Sequence, residues 1–405
     1  MTFTARNLVL VSYDSVRADV AFSGMLNALE RLRRTGTSFT NCISSAPLTP
    51  VSHASIMTGL QPYAHGIRHL FKEKLRTGSK TLAHHLKAAG FVTSAVVSCP
   101  GLNRWYGIDA GFDRYDDEIP KLSDGTDPLT TVDVKKRGTA LKRAPKVIER
   151  SLASIEGLGD KRFFHFIHFF DAHWPYAPPE SAPGKRGDNP YEEEVRYLDH
   201  YFGIWLERMA EMGRLDDTLV VLFADHGEDL CGWYENDKGG PDGAYPEEMG
   251  HGCLLYEPTI HVPLIFSHPG LLRQEISCQV RLVDILPTCL ELLDLDIPEK
   301  LHGVSLASSI LTGSAPPPIP AYSETHYPRE QVDSTGGQFE WTKNKKSIRF
   351  PQGYKVILQL DSDMVEAYDL NRDPNEVVNL LGEQSRSQDT ARDINKSTNE
   401  DKRKC

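Results

Sequence analysis

The sequence has no surplus of positive charge, no long apolar run and no paired cysteines, and each absence removes a class of function. With 45 Lys and Arg against 56 Asp and Glu, the formal net charge is -11, which repels nucleic acid and anionic membrane surfaces alike. No apolar run approaches the roughly 18 residues that a membrane-spanning helix needs, so no integral membrane segment is expected. The opening MTFTARNLVLVSYD lacks the cationic, apolar and small-residue order of a secretory leader, which makes the cytoplasm the expected location. Seven cysteines, at 42, 99, 231, 253, 278, 289 and 405, form an odd set with no CxxC pair and no zinc-finger spacing, and they read as reduced thiols. No internal repeat is present. What remains is a 405-residue chain long enough for one large domain and a small one, with a small, locally bound substrate as the expected partner.

Two apolar runs end in carboxylates, NLVLVSYD at 7–14 and TLVVLFADHGED at 218–229. They read as buried parallel strands whose C-terminal ends face a site. Further strand-like runs lie at 93–98, 163–170 and 261–267, and stretches at 79–90, 144–157 and 193–213 carry apolar residues at helical spacing. Strands alternating with helices predict an α/β sandwich around a central, mostly parallel sheet flanked by helices. The proline-rich TGSAPPPIPAY at 312–322 marks a linker or domain edge, and YKVILQL (354–360) and EAYDL (366–370) beyond it predict a small C-terminal antiparallel subdomain. The expected division is a large α/β domain over 1–315, the subdomain over 316–382 and a polar, disordered tail over 383–405.

In open sheets of this kind ligands gather beyond the carboxyl ends of the strands, where Asp14, Asp225 and His226 fall. Two carboxylates and an imidazole suit a divalent cation such as Mn²⁺, Zn²⁺, Mg²⁺ or Ca²⁺. Either acid alone could equally cap the helix after it, but Gly227, next in DHGED, lets the backbone approach a ligand closely. TPVSHASIMTG at 49–59 reads as a helix with Thr49 as N-cap, Pro50 at the first helical position and Gly59 at its close. Beside a cation Thr49 gains a second use. Coordination stabilises an alkoxide, and the free N–H groups of a helix N-terminus favour phosphate or sulfate. HFIHFFDAHWPYAPP (165–179) contributes Asp171 and His173, and MGHGCLLYEP (249–258) sets His251 between two glycines. Singly, each such histidine is more often a satisfied core or surface residue.

Together these segments resemble the sulfatase family of the alkaline phosphatase superfamily, in order over roughly residues 6–382. NLVLVSYDSVRAD is similar to the opening metal strand, TPVSHASIMTGLQPYAHGIR to the nucleophile segment and LDDTLVVLFADHGE to the second metal segment. GFDRYDD, HFFDAHWPYAPP, GHGCLLYEPTIHVPLIF, VRLVDILPTCLELLDLDIPEKLHGVSL and EAYDLNRDPNEVVNL supply the later landmarks. The resemblance implies an alkaline-phosphatase-like fold, metal ligation by Asp14, Asp225 and His226, and Thr49 as the metal-bound nucleophile. It also implies that His173 and His251 contact the substrate oxyanion or protonate the leaving oxygen. Asp171 with these two histidines could bind a second metal. His53 and Arg68 are further candidates for substrate contact, and Arg17, Lys72 and Arg104 are cations whose place the sequence does not fix.

The chain also departs from the family's pattern. Sulfatases carry Cys or Ser where Thr49 stands and convert it to formylglycine; threonine cannot become that aldehyde, so none is expected. His53 stands where an arginine is usual, and Ser15 replaces the second acid of the opening pair. Threonine here resembles the superfamily's phosphodiesterases, phosphonate-cleaving enzymes and phospho-group transferases. The expected activity is metal-dependent cleavage of a phosphate or phosphonate ester through a covalent Thr49 intermediate. The substrate would be a small-molecule, sugar-derived or lipid-derived anionic ester. Sulfate-ester hydrolysis without formylglycine, transfer to a soluble acceptor, and non-catalytic anion binding are the alternatives. A homodimer is expected only on general grounds.

Overall fold

Unbroken apolar runs have no polar face to turn towards water, so they end in the middle of a sheet covered on both sides. A computed structural model describes residues 3, 5–122, 124–127, 140–180, 189–239, 250–327, 344–360, 362 and 364–382. The tail expected to be disordered, 383–405, lies outside them. The strands are β1 (Asn7–Tyr13), β2 (Gly36–Ile43), β3 (Val92–Val96), β4 (Arg114–Asp116), β5 (Phe163–Phe169), β6 (Thr218–Phe223), β7 (His261–Ser267), β8 (Gln274–Ile276), β9 (Val280–Arg281), β10 (Ala321–Thr325), β11 (Lys345–Arg349), β12 (Tyr354–Gln359) and β13 (Val365–Asp369). The first sheet runs β4-β3-β5-β1-β6-β7-β2-β8, with β9 also paired to β2. Its neighbours are parallel except where β7 meets β6 and β2. Every residue of β5, β1 and β6, which lie side by side, is buried.

The two histidines of β5 show how helices cover both faces. His165 and His168 are three residues apart and so point to opposite sides. His165 is hydrogen-bonded to Ser94 (2.7 Å) and to Ser151 (2.8 Å) of the helix Ala144–Glu156, and Trp205 Nε1 of the helix Pro190–Glu211 donates to the same Ser151 hydroxyl (2.9 Å). That is a satisfied buried polar chain and nothing more. His168 instead lies 5.2 Å, ring to ring, from His53 of the helix Thr49–Thr58. The expected sandwich is what the chain builds.

The second sheet, β10-β11-β12-β13, is antiparallel throughout. Sequence reading anticipated two of its strands; β10 hides at the end of the proline-rich stretch, and β11, KKSIR, is too charged to look apolar. The sheet bears on the site, because the Ser323 hydroxyl donates to Ser44 O (2.6 Å) and Glu324 N to Ser45 O (3.0 Å), just ahead of Thr49. A buried ion network also ties it to the first unit: Lys355 Nζ lies 3.2 Å from Glu257 and 2.8 Å from Glu376, and Arg349 Nε lies 3.1 Å from Glu257. Burial alone would push the Glu257 carboxyl up, but Arg349 and Lys355 hold it down to about 2. Lys355→Ala would leave two buried carboxylates undercompensated, an expected loss of about 3 kcal/mol. A lowered urea midpoint at unchanged slope would show it, and an unchanged midpoint would refute the network's role.

Candidate active site

Three adjacent strands deliver the acids. Asp14 follows β1 directly, and Asp225 and Asp171 each stand two residues past the ends of β6 and β5. Asp14, Asp225 and His226 are fully buried, and each offers a ligand atom within 4.8 Å of the others'. The Thr49 hydroxyl joins them, donating to Asp14 Oδ2 at 3.1 Å and lying 3.3 Å from His226 Nε2. Thr49 is the first residue of its helix, and Leu48, not Thr49, holds the cap position, without a side-chain cap bond. The expected capping role therefore fails for a physical reason: the hydroxyl is turned from the helix's own N–H groups towards Asp14. Gly59, at φ 65°, closes the helix as expected.

Hydrogen bonds fix how the imidazoles are presented. His226 Nδ1 donates to Gly227 O (2.9 Å), which leaves Nε2 with its lone pair on the Thr49 side. Its pKa is lowered to about 4 by burial and by His251. His173 Nδ1 likewise donates to Trp174 O (2.7 Å), and burial and His251 lower this ring to about 4 too. His251 Nδ1 is hydrogen-bonded to Glu228 Oε1 (3.0 Å), and burial lowers its ring to about 4. The ring centroids of His226 and His173 lie 4.1 Å and 4.8 Å from that of His251, so the structure brings these three together.

Other candidates fall elsewhere. Asp171 turns away: its Oδ1 accepts from Ala144 N (3.1 Å) at the start of a helix and faces Arg143 (3.4 Å). It forms no ligand cluster with His173 and His251 among the described residues, and the trio named above as able to bind a second metal does not assemble there. Burial pushes Asp171 up to about 6 despite Arg143. Arg68 is held in a two-pronged ion pair with Glu324 (2.6 and 3.0 Å) and bonds His326 (2.7 Å). His53 is wholly buried beneath the centre, with Nδ1 donating to Thr49 O (2.8 Å) and Nε2 accepting from the Ser12 hydroxyl (2.9 Å). It braces the first helical turn against β1 instead of offering a face to a substrate. Of the further cations, Arg17 is paired with Asp19 and Asp237 and Arg104 with Asp117.

Sequence reading missed three neighbours. His168 accepts from Ser98 N at Nδ1 (3.3 Å), so Nε2–H donates to Asp14 Oδ2 (3.0 Å) and orients that carboxylate. Cys99 forms a second potential ligand group with Asp14 and His168. Burial and the two nearby carboxylates push its thiol well up, which keeps it neutral. Glu228 is fully buried, with Oε2 lacking a hydrogen-bond partner among the described residues. The usable signal was position: His168 is next to last in a central strand, on the face opposite His165.

The donor chemistry fits a divalent cation. Burial alone would push Asp14 up, but the His168 hydrogen bond and the imidazoles of His226, His168 and His173 hold it far down. Burial and the charge of Asp14 push Asp225 well up, and Asp225 Oδ2 has no hydrogen-bond partner among the described residues. A cation held by Asp14, Asp225 and His226 would supply the missing countercharge and let both acids ionise. Ser15 donates its hydroxyl to Asp14 Oδ1 (2.8 Å) and adds no charge.

Comparison with known proteins shows the family and the fold of the chain. The family described as Sulfatase matches residues 6–295, and the one described as N-sulphoglucosamine sulphohydrolase, C-terminal, matches 251–404. An ulvan-active sulfatase of Formosa agariphila is 23% identical over 363 residues, covering 76% of this chain and 65% of the relative. The low-salt glycan biosynthesis sulfotransferase Agl7 of Haloferax volcanii is 26% identical over 296 residues, covering 70% of this chain and 60% of the relative. The chain thus spans less than two thirds of either relative. Among solved structures, a phosphonate monoester hydrolase of Agrobacterium radiobacter superposes with a TM-score of 0.73 at 17% identity, over 97% of this chain and 94% of that one. Among the described residues, no helix is long and apolar enough to cross a membrane.

Proposed function

The chain belongs to the sulfatase family, and on that premise we propose that it is a metal-dependent hydrolase of phosphate or phosphonate esters that uses Thr49 as its nucleophile. The observation that carries this reading is the buried Thr49 hydroxyl, 3.1 Å from Asp14 and 3.3 Å from His226 at a helix N-terminus. Asp14, Asp225 and His226 would hold the cation, which supplies charge stabilisation and lowers the pKa of the nucleophilic hydroxyl. Asp14 Oδ2, which accepts a hydrogen bond from the Thr49 hydroxyl, aligns the Thr49 oxygen for in-line attack, and the hydroxyl proton leaves to solvent as that oxygen bonds to phosphorus. The N–H groups of the first helical turn favour the oxyanion. The covalent threonyl ester is then cleaved by water. His173 and His251, neutral before the substrate arrives, gain proton affinity from its negative charge; one of them takes up a proton from solvent and passes it to the leaving oxygen.

The charges set against Thr49 also favour one substrate class. Among the described residues, the principal electrostatic partners of Asp14, His173 and His251 are acids and imidazoles, with no lysine or arginine among them. A singly charged ester, a phosphate diester or phosphonate monoester, asks less of such a centre than a doubly charged phosphate monoester does. Sulfate-ester hydrolysis is the second reading, favoured by the family match. Side-by-side turnover of an aryl phosphate, a bis-aryl phosphate, an aryl phosphonate monoester and an aryl sulfate, after chelation and restoration of each divalent metal, separates them. Diester or phosphonate preference by tenfold or more is expected; preference for sulfate would overturn the phosphorus reading, and preference for the monoester would overturn the charge argument.

A further inference from the structure

Asp171, which turns away from the centre, opens the loop that carries His173, and Ala177 closes it. One side chain holds both ends. Arg143 Nη1 lies 3.4 Å from Asp171 Oδ1 and 2.8 Å from each carboxylate oxygen of Glu194, and Nη2 donates to Ala177 O (2.8 Å). Glu194 stands on the helix Pro190–Glu211, and both carboxylates are buried. Asp171 Oδ2 has no hydrogen-bond partner among the described residues, so Arg143 is the countercharge on which that acid relies. The backbone fixes Arg143 on either side: Lys142 N donates to Ser98 O (2.8 Å) and Ala144 N to Asp171 Oδ1 (3.1 Å).

Between these two ends His173 is supported unevenly. Its N–H donates to Phe170 O (3.2 Å) and its ring stacks on Phe170 (4.0 Å between centroids, 24° between planes), which secures it from the strand side. Its rotation is set from the other side, because Nδ1 donates to Trp174 O (2.7 Å), and that carbonyl belongs to the half of the loop that Arg143 ties down at Ala177. Which edge of the imidazole meets His251, 4.8 Å away, therefore depends on Arg143. A planar guanidinium serves a carboxylate and a carbonyl in fixed directions at once, which a single ammonium does not. A displacement of about 1 Å in a reacting group is enough to cost about 100-fold in rate.

We propose that Arg143 is a positioning residue, which acts on the reaction only through His173 by clamping both ends of its loop to Glu194. The proposal rests on the reading of the Thr49 centre as an ester site served by His173. It is tested by a double-mutant cycle between Arg143 and His173, read as turnover of phenyl methyl phosphate, phenyl methylphosphonate and phenyl sulfate by the metal-loaded chain. Arg143→Met is expected to lower kcat about 100-fold with KM within about threefold. Arg143→Lys keeps the charge that the two buried carboxylates face but not the fork, so it folds where the methionine variant fails and still loses about tenfold. On a His173→Ala background either substitution should cost less than about threefold, because the ring it places is gone. Wild-type rates in either single variant, a loss carried by KM, or an equal loss on the His173→Ala background would make Arg143 a brace of the fold and overturn the proposal while the ester site stands. Wild-type rates in His173→Ala would overturn the role of His173 and the proposal together. Turnover of none of the three esters by the unsubstituted chain would overturn the ester reading as well.

Discussion

Thr49→Ala is expected to lower turnover by about 10⁴-fold or more while fold and metal content stay close to wild type. The size follows from the removal of a nucleophile, which in covalent mechanisms typically eliminates most of the chemical rate enhancement. Retention of the fold follows from the contacts: the hydroxyl caps no helix N–H and bonds only within the cluster, to Asp14 and beside His226. Its loss should change stability by no more than about 1 kcal/mol. Asp14, Asp225 and His226, the proposed ligands, would remain to hold the cation. Thr49→Ser keeps a hydroxyl and should keep measurable turnover, which a role in packing alone would not predict. Mass spectrometry of wild type quenched during turnover should find the phosphoryl or phosphonyl group on the peptide carrying Thr49. Wild-type rates in Thr49→Ala would reduce Thr49 to a structural residue and favour a water-attack mechanism or a binding role.

How much of this was legible in the sequence depends on whether a residue's fate is decided locally. The runs that became β1 and β6 were legible because seven and six consecutive buried positions leave a pattern no exposed segment shares. Asp14 and Asp225 were legible because strand ends fix where the next side chain lies. Asp171 has the same local signature, yet Arg143 and the helix start at Ala144 claim it. That partner is 28 residues away, and periodicity does not reveal it. His53 was a site candidate because it stands where the resemblance implies an arginine, but the i to i−4 carbonyl and Ser12 of β1 take both its nitrogens. His168, Cys99 and Glu228 were invisible for the converse reason, since each is ordinary in its own segment and acquires meaning only beside Asp14 or His251.

Asp225→Asn carries the second large effect, and its interest lies in two consequences of opposite sign. The amide can keep the hydrogen bonds that Oδ1 accepts from His226 N (3.0 Å) and Ser15 N (3.4 Å). It removes one of the two buried carboxylates that crowd the centre. Without metal, the variant should therefore melt no lower than wild type, because the removed charge had no hydrogen-bond partner at Oδ2 among the described residues and was opposed by Asp14. With metal, the order reverses. Wild type at a hundredfold excess of cation over its dissociation constant should gain about 2.7 kcal/mol of stability, while Asp225→Asn gains almost nothing and loses at least about 10³-fold in turnover. Elemental analysis, thermal melts with and without chelator, and turnover read the three effects separately. Full metal occupancy in Asp225→Asn would refute the ligand assignment even if activity fell. A lower melting temperature for the metal-free variant would show instead that Asp225 serves the fold, and that its buried charge is compensated within the protein.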